Sequence, residues 1–259
     1  MTTRVKTATE ILAIRESGRM LASILSKLEV MVEEGLSTKD LAVVAERELN
    51  VLGGSAPFLG YQGFPDVICI SLNDEVVHGI PRPDKIIKAG DLVSLDFGVN
   101  YRGMITDSAL TVIAGKTKNR QQEELVKYTD VALDNGISVV RDGVRTGDIG
   151  AAVEKVLKSK GYGIVRDLVG HGVGHMLHED PNIPNYGRPN TGPWLKAGMT
   201  IAIEPMATLG DEKVVLEADG WTVRTRDHSL SAHFEHTVLI TEEGYEILTL
   251  RESLPNLKG

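Results

Sequence analysis

The sequence predicts an α+β fold in which helices cover one side of a curved antiparallel sheet. Four segments carry apolar residues at the spacing of a helix, and β-branched apolar runs lie between and after them. A short pattern of turn, strand and carboxylate occurs twice, 108 positions apart. The repeat indicates a single domain over residues 1–259 that is built from two similar halves, roughly 1–120 and 121–259.

Two helices are predicted in the first 52 residues. Residues 9 to about 33 form the first, with one apolar face that comprises Ile11, Ile14, Met20, Leu21, Ile24 and Leu28. The second begins at residues 37–40, Ser-Thr-Lys-Asp, which resemble a capping box with aspartate in place of glutamate, and it runs to about residue 52.

A hairpin follows, and it brings two like charges together. Residues 92–99 and 109–113 are predicted strands, and residues 100–103, Asn-Tyr-Arg-Gly, predict a tight reversal between them. A regular ladder about Tyr101 and Arg102 makes Asp96 and Asp107 direct cross-strand neighbours, with Cβ atoms about 5 Å apart. Their repulsion requires a shared proton or a bound cation. The alternative is a pair of solvated carboxylates on a strand edge.

Two further helices precede a group of strands. Residues 121–141 and 146–160 have helical spacing, and the latter places Ile149, Ala152, Val153, Val156 and Leu157 on one face. Strands cluster after Met199. This order of elements is typical of an α+β fold.

The repeat adds two more carboxylates. A Lys-Ala-Gly turn and an apolar run end at Asp96, and the same pattern ends at Glu204, 108 positions later. Asp107 and Glu235 each open a β-branched run. All four would meet where the halves face each other, in segments apolar enough to be buried, and no run of Lys or Arg lies near them. Two divalent cations would balance the four charges, so the sequence predicts a dinuclear metal site.

A glycine-rich segment at residues 170–181 supplies three of the seven histidines: His171, His175 and His178. A single histidine is usually a surface or core residue, but three within eight positions favour a functional site. Small residues let the backbone approach a ligand closely. One histidine could bind metal and another could face substrate. Oxygen ligands with a single imidazole are typical of Mn, Fe or Co sites rather than of a sulfur-rich structural zinc site.

These motifs resemble those of the type I methionine aminopeptidases, which are metallohydrolases of the pita-bread fold. The resemblance covers essentially the whole chain, and its most specific motifs are Asn-Asp-Glu-Val-Val-His-Gly-Ile-Pro (73–81), Gly-Asp (90–91) through Asp-Phe-Gly (96–98), Gly-His-Gly-Val-Gly (170–174), Ile-Glu-Pro-Met (203–206) and His-Phe-Glu-His-Thr (233–237). It implies the pita-bread fold, with two pseudo-symmetric halves in one catalytic peptidase domain.

The resemblance also implies a set of metal ligands: Asp96, Asp107, His171, Glu204 and Glu235. Asp107 and Glu235 would bridge two divalent ions of Co, Mn, Fe, Zn or Ni. Asp96 would complete one site, and His171 with Glu204 the other. Asn73 and Ser231 match positions at which relatives hold a monovalent cation.

The implied reaction removes the N-terminal methionine of nascent proteins and peptides whose second residue is small and uncharged. A hydroxide activated by the two metals would attack the first peptide bond. Glu204 would take the water proton and pass it to the leaving amine. His178 would donate to the carbonyl oxygen, and His78 would hydrogen-bond the scissile amide. His175 is assigned no catalytic role.

The methionine side chain would lie among Tyr61, Phe64, Cys69 and Trp221, together with His78 and His178 at the reacting bond. A thioether packs well on aromatic rings. The alternative is that these aromatic residues belong to the core. Leu177 stands where several bacterial relatives carry an aromatic residue, which leaves the fine substrate preference open.

Composition argues against several classes of partner. A net charge of −8 and a pI near 5.4 argue against tight binding to nucleic acid or anionic membranes. No signal peptide or membrane span is visible, and the single cysteine, Cys69, cannot form an internal disulfide. We expect a cytoplasmic monomer. The physiological metal and a transient contact with the ribosome stay open.

Three alternatives are less favoured. An aminopeptidase P or prolidase would carry a separate N-terminal domain, whereas 95 residues precede Asp96 here. A type II methionine aminopeptidase would carry a helical insertion between His178 and Glu204, and only 25 residues separate them. A non-catalytic pita-bread protein would have lost metal ligands, and this chain retains all five.

Overall fold

The computed structural model describes residues 5–117 and 119–251. This part of the chain contains four α-helices: α1 (Ala8–Met31), α2 (Thr38–Leu52), α3 (Arg120–Ser138) and α4 (Thr146–Ser159). Each lies where the sequence predicts it. The largest difference in bounds is at α3, which ends at Ser138 rather than near residue 141.

Side-chain caps begin the first two helices. The backbone N–H of Thr7 donates to Glu10 Oε2 at 2.7 Å, and Thr7 Oγ1 accepts from the backbone N–H of Glu10, which completes a capping box for α1. Ser37 and Asp40 form the predicted capping box of α2, with 2.8 Å between Ser37 N and Asp40 Oδ2. These contacts satisfy backbone donors that have no partner inside the helix.

Fourteen strands, with antiparallel pairing throughout, occur in the described residues. They are β1 (Ile68–Leu72), β2 (Glu75–Val77), β3 (Leu92–Tyr101), β4 (Met104–Ile113), β5 (Gly163–Ile164), β6 (Gly170–Gly172), β7 (Glu179–Ile183), β8 (Thr200–Ile203), β9 (Met206–Thr208), β10 (Val214–Leu216), β11 (Val223–Thr225), β12 (Ser231–His233), β13 (His236–Ile240) and β14 (Tyr245–Ile247). The two main groups have the orders β1-β3-β4 and β14-β13-β8-β6-β7, and two three-stranded groups, β10-β11-β2 and β12-β9-β5, extend them. The α+β prediction is confirmed.

The β3–β4 register differs from the prediction. The ladder pairs Asp96 with Ala109, and Asp107 with Gly98. The expectation that Asp96 and Asp107 are direct cross-strand neighbours is therefore wrong. They are diagonal neighbours on one face of the hairpin, where the separation of side chains is larger but still within electrostatic reach.

The turn explains the shift. Arg102 and Gly103 are its two central residues and both have positive φ, 52° and 80°, as a type I′ turn requires. The backbone N–H of Gly103 also donates to the side-chain Oδ1 of Asn100 at 3.1 Å. The turn is thus centred one residue later than the Tyr101–Arg102 midpoint.

Strand β4 meets the segment that leads into β13 along a seam. Ala109 and Glu235 exchange backbone hydrogen bonds, with N···O distances of 2.9 and 3.3 Å. Thr237 Oγ1 donates to the carbonyl of Asp107 at 2.7 Å and accepts from its N–H at 2.9 Å. The Thr237 hydroxyl takes the place of a backbone partner. The seam therefore extends past the backbone bridge between Ala109 and Glu235. It brings the Asp107 and Glu235 backbones together.

The helices pack behind these strands and share one main core. Helix α1 packs on β3 and β4, and α3 packs on α4 and β12. The largest buried cluster contains Leu25 of α1, Phe97 of β3, Ile137 of α3 and Ile203 of β8. The core therefore crosses residue 120, and the division into two halves stays a prediction. No helix among the described residues is long and apolar enough to span a membrane.

We predict that Thr237→Val lowers the free energy of unfolding by about 1–3 kcal/mol, because the buried N–H and carbonyl of Asp107 lose their partner. Urea denaturation of the metal-free protein measures the change. Thr241→Val, just beyond β13, is the control and should change stability by less than about 0.5 kcal/mol. Equal effects of the two substitutions would mean that the seam hydroxyl contributes nothing.

Candidate active site

A cavity of about 200 Å³ opens over the seam. It is lined by every residue that the sequence singles out as a metal ligand, a catalytic group or part of the methionine pocket: Tyr61, Phe64, Cys69, His78, Asp96, Asp107, His171, His178, Glu204, Trp221 and Glu235. The structure thus brings together residues that are spread from Tyr61 to Glu235 in the sequence. Their individual roles stay predictions.

The floor of the cavity is acidic. Asp96 lies on β3, Asp107 on β4, Glu204 directly after β8, and Glu235 between β12 and β13. His171 of β6 completes the group. Ligand atoms of Asp107, His171 and Glu235 all lie within 4.8 Å of one another, close enough to share one ion.

Burial makes ionisation of these carboxylates costly. It raises the pKa of Asp107, Glu204 and Glu235 well above the usual range, and the neighbouring carboxylates raise them further. Burial alone raises the pKa of Asp96 to about 7. No Lys or Arg side chain in the described part of the chain lines the cavity. A metal-free site therefore retains protons at neutral pH.

The donor set fits a divalent cation. Asp107 Oδ1 and Glu235 Oε1 are buried and have no hydrogen-bond partner among the described residues. Such atoms are rare in folded proteins unless a ligand satisfies them. Four carboxylates with one imidazole are the hard, oxygen-rich ligands that divalent transition ions accept.

His171 is prepared as a neutral ligand. Its Nδ1 lies 2.9 Å from the carbonyl of Gly172, an arrangement in which Nδ1–H donates and the Nε2 lone pair remains available. Nε2 lies 3.5 Å from Glu204 Oε1. Burial, with a smaller contribution from His178, lowers the pKa of His171 to about 3. A neutral imidazole whose other nitrogen is held by a carbonyl is the usual form of a histidine ligand.

Two histidines lie above this floor. His78 has a positive φ of 59°, and burial followed by the charge of His178 lowers its pKa to about 4. His178 lies at the mouth, with Nδ1 2.9 Å from the hydroxyl of Tyr61 and its ring centroid 4.2 Å from that of His171. Burial also lowers the pKa of His178. Both rings are thus favoured in their neutral form, which can donate one hydrogen bond.

One wall of the cavity is apolar. Phe64 and Trp221 meet edge to face with ring centroids 5.1 Å apart, and Cys69 and Leu177 are buried beside them. Burial, followed by the charge of Asp96, raises the pKa of the Cys69 thiol well above its usual range. The thiol is therefore neutral and acts as a small apolar surface.

Sequence reasoning missed other residues of the site. His233 is buried with Nε2 3.7 Å from Glu204 Oε2, and neither ring nitrogen has a hydrogen-bond partner among the described residues. Burial, then the charge of His78, lowers its pKa to about 3. Phe58 and Gln62 line the cavity, whereas His233 lies behind Glu204 and does not. The one sequence signal for His233 was its position two residues before Glu235. Its contact, Glu204, is distant in sequence, so no local pattern indicated it.

The two residues of the predicted monovalent-cation site are neighbours. The N–H and hydroxyl of Ser231 lie 2.9 and 3.1 Å from the carbonyl oxygen of Asn73, which has a positive φ of 58°. The cation itself stays a prediction. His175 does not line the cavity, and its Nε2 lies 2.7 Å from Glu10 Oε1.

Known proteins resemble this chain over nearly its whole length. The model of metallopeptidase family M24 matches residues 13–242. A methionine aminopeptidase of Mycoplasma capricolum is 43% identical over 248 residues, which cover 96% of this chain and 98% of that protein. Methionine aminopeptidase of Escherichia coli is 38% identical, with 97% and 96% covered.

Solved structures give the same result. Methionine aminopeptidase from Thermotoga maritima superposes with a TM-score of 0.94 at 43% identity, covering 97% of this chain and all of the other. Prolidase from Pyrococcus furiosus has a TM-score of 0.78 at 25% identity, and 66% of it is covered by 97% of this chain.

We predict that Glu235→Gln stabilises the metal-free protein at pH 8. A carboxyl whose pKa is raised by folding costs nothing below its unfolded pKa of about 4.3, and the cost grows as pH rises towards the folded pKa. The neutral amide removes that cost. Urea denaturation in chelator should give a gain of at least about 1 kcal/mol at pH 8, or roughly one pKa unit, and a smaller gain at pH 5. Because the wild type is the reference at each pH, titration of the histidines cancels. An equal difference at both pH values would contradict the charged-cluster interpretation.

Proposed function

The chain belongs to metallopeptidase family M24, and from that membership we infer that it is an aminopeptidase that removes N-terminal methionine. One observation carries this conclusion: methionine aminopeptidases match it over nearly the full length of both chains, at 38–43% identity. About a third of the prolidase from Pyrococcus furiosus has no counterpart in it. The retained donor set argues against a non-catalytic relative.

We propose that the acidic floor holds two divalent ions through Asp96, Asp107, His171, Glu204 and Glu235. Asp107 and Glu235 belong to both ion sites, which is supported by their place at the centre of the seam and their unpartnered oxygens. Bound there, the ions would supply Lewis acidity and a water of lowered pKa. The oxygen-rich set favours Mn, Fe or Co, and Zn and Ni stay open.

Glu204 is the proposed general base. Its carboxylate lies between the rings of His171 and His233, at 3.5 and 3.7 Å, beside the cavity. Burial raises its pKa, which makes it a stronger proton acceptor. In this role Glu204 takes a proton from the attacking water and returns it to the leaving nitrogen.

The two upper histidines are proposed to hold the peptide bond. When the Tyr61 hydroxyl donates to His178 Nδ1, the proton of the neutral ring resides on Nε2. That N–H can donate to the carbonyl oxygen as negative charge develops there. His78, also neutral, hydrogen-bonds the scissile amide. Neither ring needs to change charge to act.

We propose that the apolar wall of Tyr61, Phe64, Cys69 and Trp221 takes the methionine side chain. Edge-to-face aromatic rings with a neutral thiol offer the polarisable surface that a thioether prefers. Leu177 closes the wall and is shorter than an aromatic residue would be. The proposed substrates are peptides and nascent chains with a free methionine amine. We propose that the enzyme is a monomer that acts in the cytoplasm, where a transient ribosome contact would help it to reach nascent chains.

The second residue of the substrate tests this arrangement. Its side chain lies close to the wall beside His78 and His178, so large side chains must displace ordered protein, at about 1–3 kcal/mol. With Mn or Co added to chelated enzyme, we expect kcat/KM for Met-Ala-Ser to exceed that for Met-Leu-Ser at least tenfold, or about 1.4 kcal/mol. Ala-Ala-Ser should be cleaved poorly, and chelator without added metal should abolish activity. Activity that survives verified metal removal would exclude the metallopeptidase mechanism.

His178→Ala separates catalysis from metal binding. Loss of the donor to the developing oxyanion should lower kcat about 10²–10³-fold. Metal content should match the wild type, because His178 is not a proposed ligand. Tyr61→Phe is the matched control: it removes only the hydroxyl that orients His178, so its loss should be smaller. Loss of metal in His178→Ala would move this residue into the ligand set.

A further inference from the structure

The turn between β6 and β7 carries residues of the cavity on a segment without regular structure. Leu177 and His178 line the cavity, while His175, three positions earlier, points away from it. Inside the turn, the N–H of Gly174 donates to the carbonyl of Met176 at 3.1 Å. The position of His178 therefore depends on what holds the rest of the turn.

One anchor is a buried ion pair. Glu179 Oε1 accepts the backbone N–H groups of His175 and Met176 at 2.6 and 3.1 Å, so its carboxylate closes the turn. Lys6 Nζ lies 2.8 Å from the other oxygen of Glu179, and both side chains are almost fully buried. This pair links the turn to the segment that precedes α1.

The second anchor is the side chain of His175. Its Nε2 lies 2.7 Å from Oε1 of Glu10, while Oε2 of Glu10 accepts the N–H of Thr7 at 2.7 Å. The capping box of α1 already fixes Glu10. The carboxylate that His175 contacts therefore cannot move with the turn. A hydrogen bond to a fixed partner limits the movement of the turn.

We propose that His175 is a positioning residue: through its contact with Glu10 it ties the β6–β7 turn to helix α1, and so holds Leu177 and His178 in the cavity. This inference rests on the proposed function, because it assigns those two residues to substrate binding and catalysis. It concerns the contacts that hold the turn and assigns no new role to the proposed metal ligands.

Two carboxylates flank the ring of His175. Glu10 of α1 faces Nε2, and Glu179 of β7 faces Nδ1 at 3.6 Å, with Lys6 on the far side of Glu179. Nδ1 is buried and has no hydrogen-bond partner among the described residues. An imidazolium presents an N–H to each carboxylate, whereas a neutral ring that donates from Nε2 turns a lone pair towards Glu179.

Glu10 stays ionised through the relevant range. Its hydrogen bonds, first with the backbone of Thr7 and next with His175, lower its pKa to about 2. Between pH 5.5 and 8.5 Glu10 therefore offers His175 a charged acceptor.

The test compares wild type, His175→Ala, His175→Arg and Glu10→Gln in the metal-loaded enzyme, using kcat/KM for Met-Ala-Ser from pH 5.5 to 8.5. Arginine is a donor that stays charged throughout, so it can restore a contact with Glu10 that alanine removes. Glutamine at the third helical position retains the capping box through its one carbonyl oxygen, so the charge and the acceptor that Glu10 offers His175 are lost. Each value is divided by that of wild type at the same pH, which cancels titrations common to all variants.

We expect the His175→Ala ratio to fall to about one third to one tenth, because the turn that carries His178 loses an anchor. The His175→Arg ratio should lie closer to one, and the Glu10→Gln ratio should lie below one. Glu246→Gln, which removes the exposed ion pair between Arg15 of α1 and β14, is the control and should give a flat ratio.

Ratios near one for both His175→Ala and Glu10→Gln in an active wild type would overturn the proposal. If His175→Ala fails to fold, as judged by circular dichroism, the Glu10→Gln ratio decides alone. A wild type that does not cleave Met-Ala-Ser with any added divalent metal would instead contradict the proposed function. The two failures are therefore distinct.

Discussion

The burial of four carboxylates at one seam is the constraint on which the rest of this structure depends. Asp96, Asp107, Glu204 and Glu235 line one cavity, and no Lys or Arg among the described residues lines it with them. Like charges in a poorly solvated site repel strongly, so a backbone free to move would separate them. The seam prevents this, because hydrogen bonds between β4 and residues 235–237 fix the two central carboxylates from behind. The shared core then holds the strands in place.

Neutral histidines complete the charge balance of the site. The carboxylates alone would favour protonated rings, but burial is the first cause of the lowered pKa values of His78, His171 and His233. Divalent ions on the floor would oppose ring protonation further. The site therefore concentrates negative charge where ions bind and surrounds it with groups that donate or accept without adding positive charge. The apolar wall lies directly beside this floor, so the proposed pocket for a thioether and the proposed site for a polar peptide end share one cavity.

The parts that local chemistry determines were predictable. Ser37 and Asp40 form a capping box in four consecutive residues, and helical spacing located α1 to α4 because each helix has one buried face. The hairpin was predicted but not its register, since a positive φ at Arg102 moved the turn by one residue. A non-glycine residue rarely adopts that conformation, so spacing alone favoured another centre. The contacts of Thr237, His233 and His175 join distant segments, and no local pattern indicates such partners.

The predicted halves contribute to the site in a way that neither could achieve alone. Asp96 and Asp107 come from the first half, and Glu204 and Glu235 from the second, so the acidic floor exists only when the halves are in register. The rim of the cavity also depends on both predicted halves. Glu10 and Lys6 of the first contact the turn that carries His178 of the second. Binding of ions at the floor and holding of the turn at the rim thus favour the same alignment. Divalent ions bound as proposed would bind only the folded arrangement of these strands, so their binding free energy would add to the free energy of unfolding. Folding of the strands and assembly of the proposed ion site would then be one equilibrium.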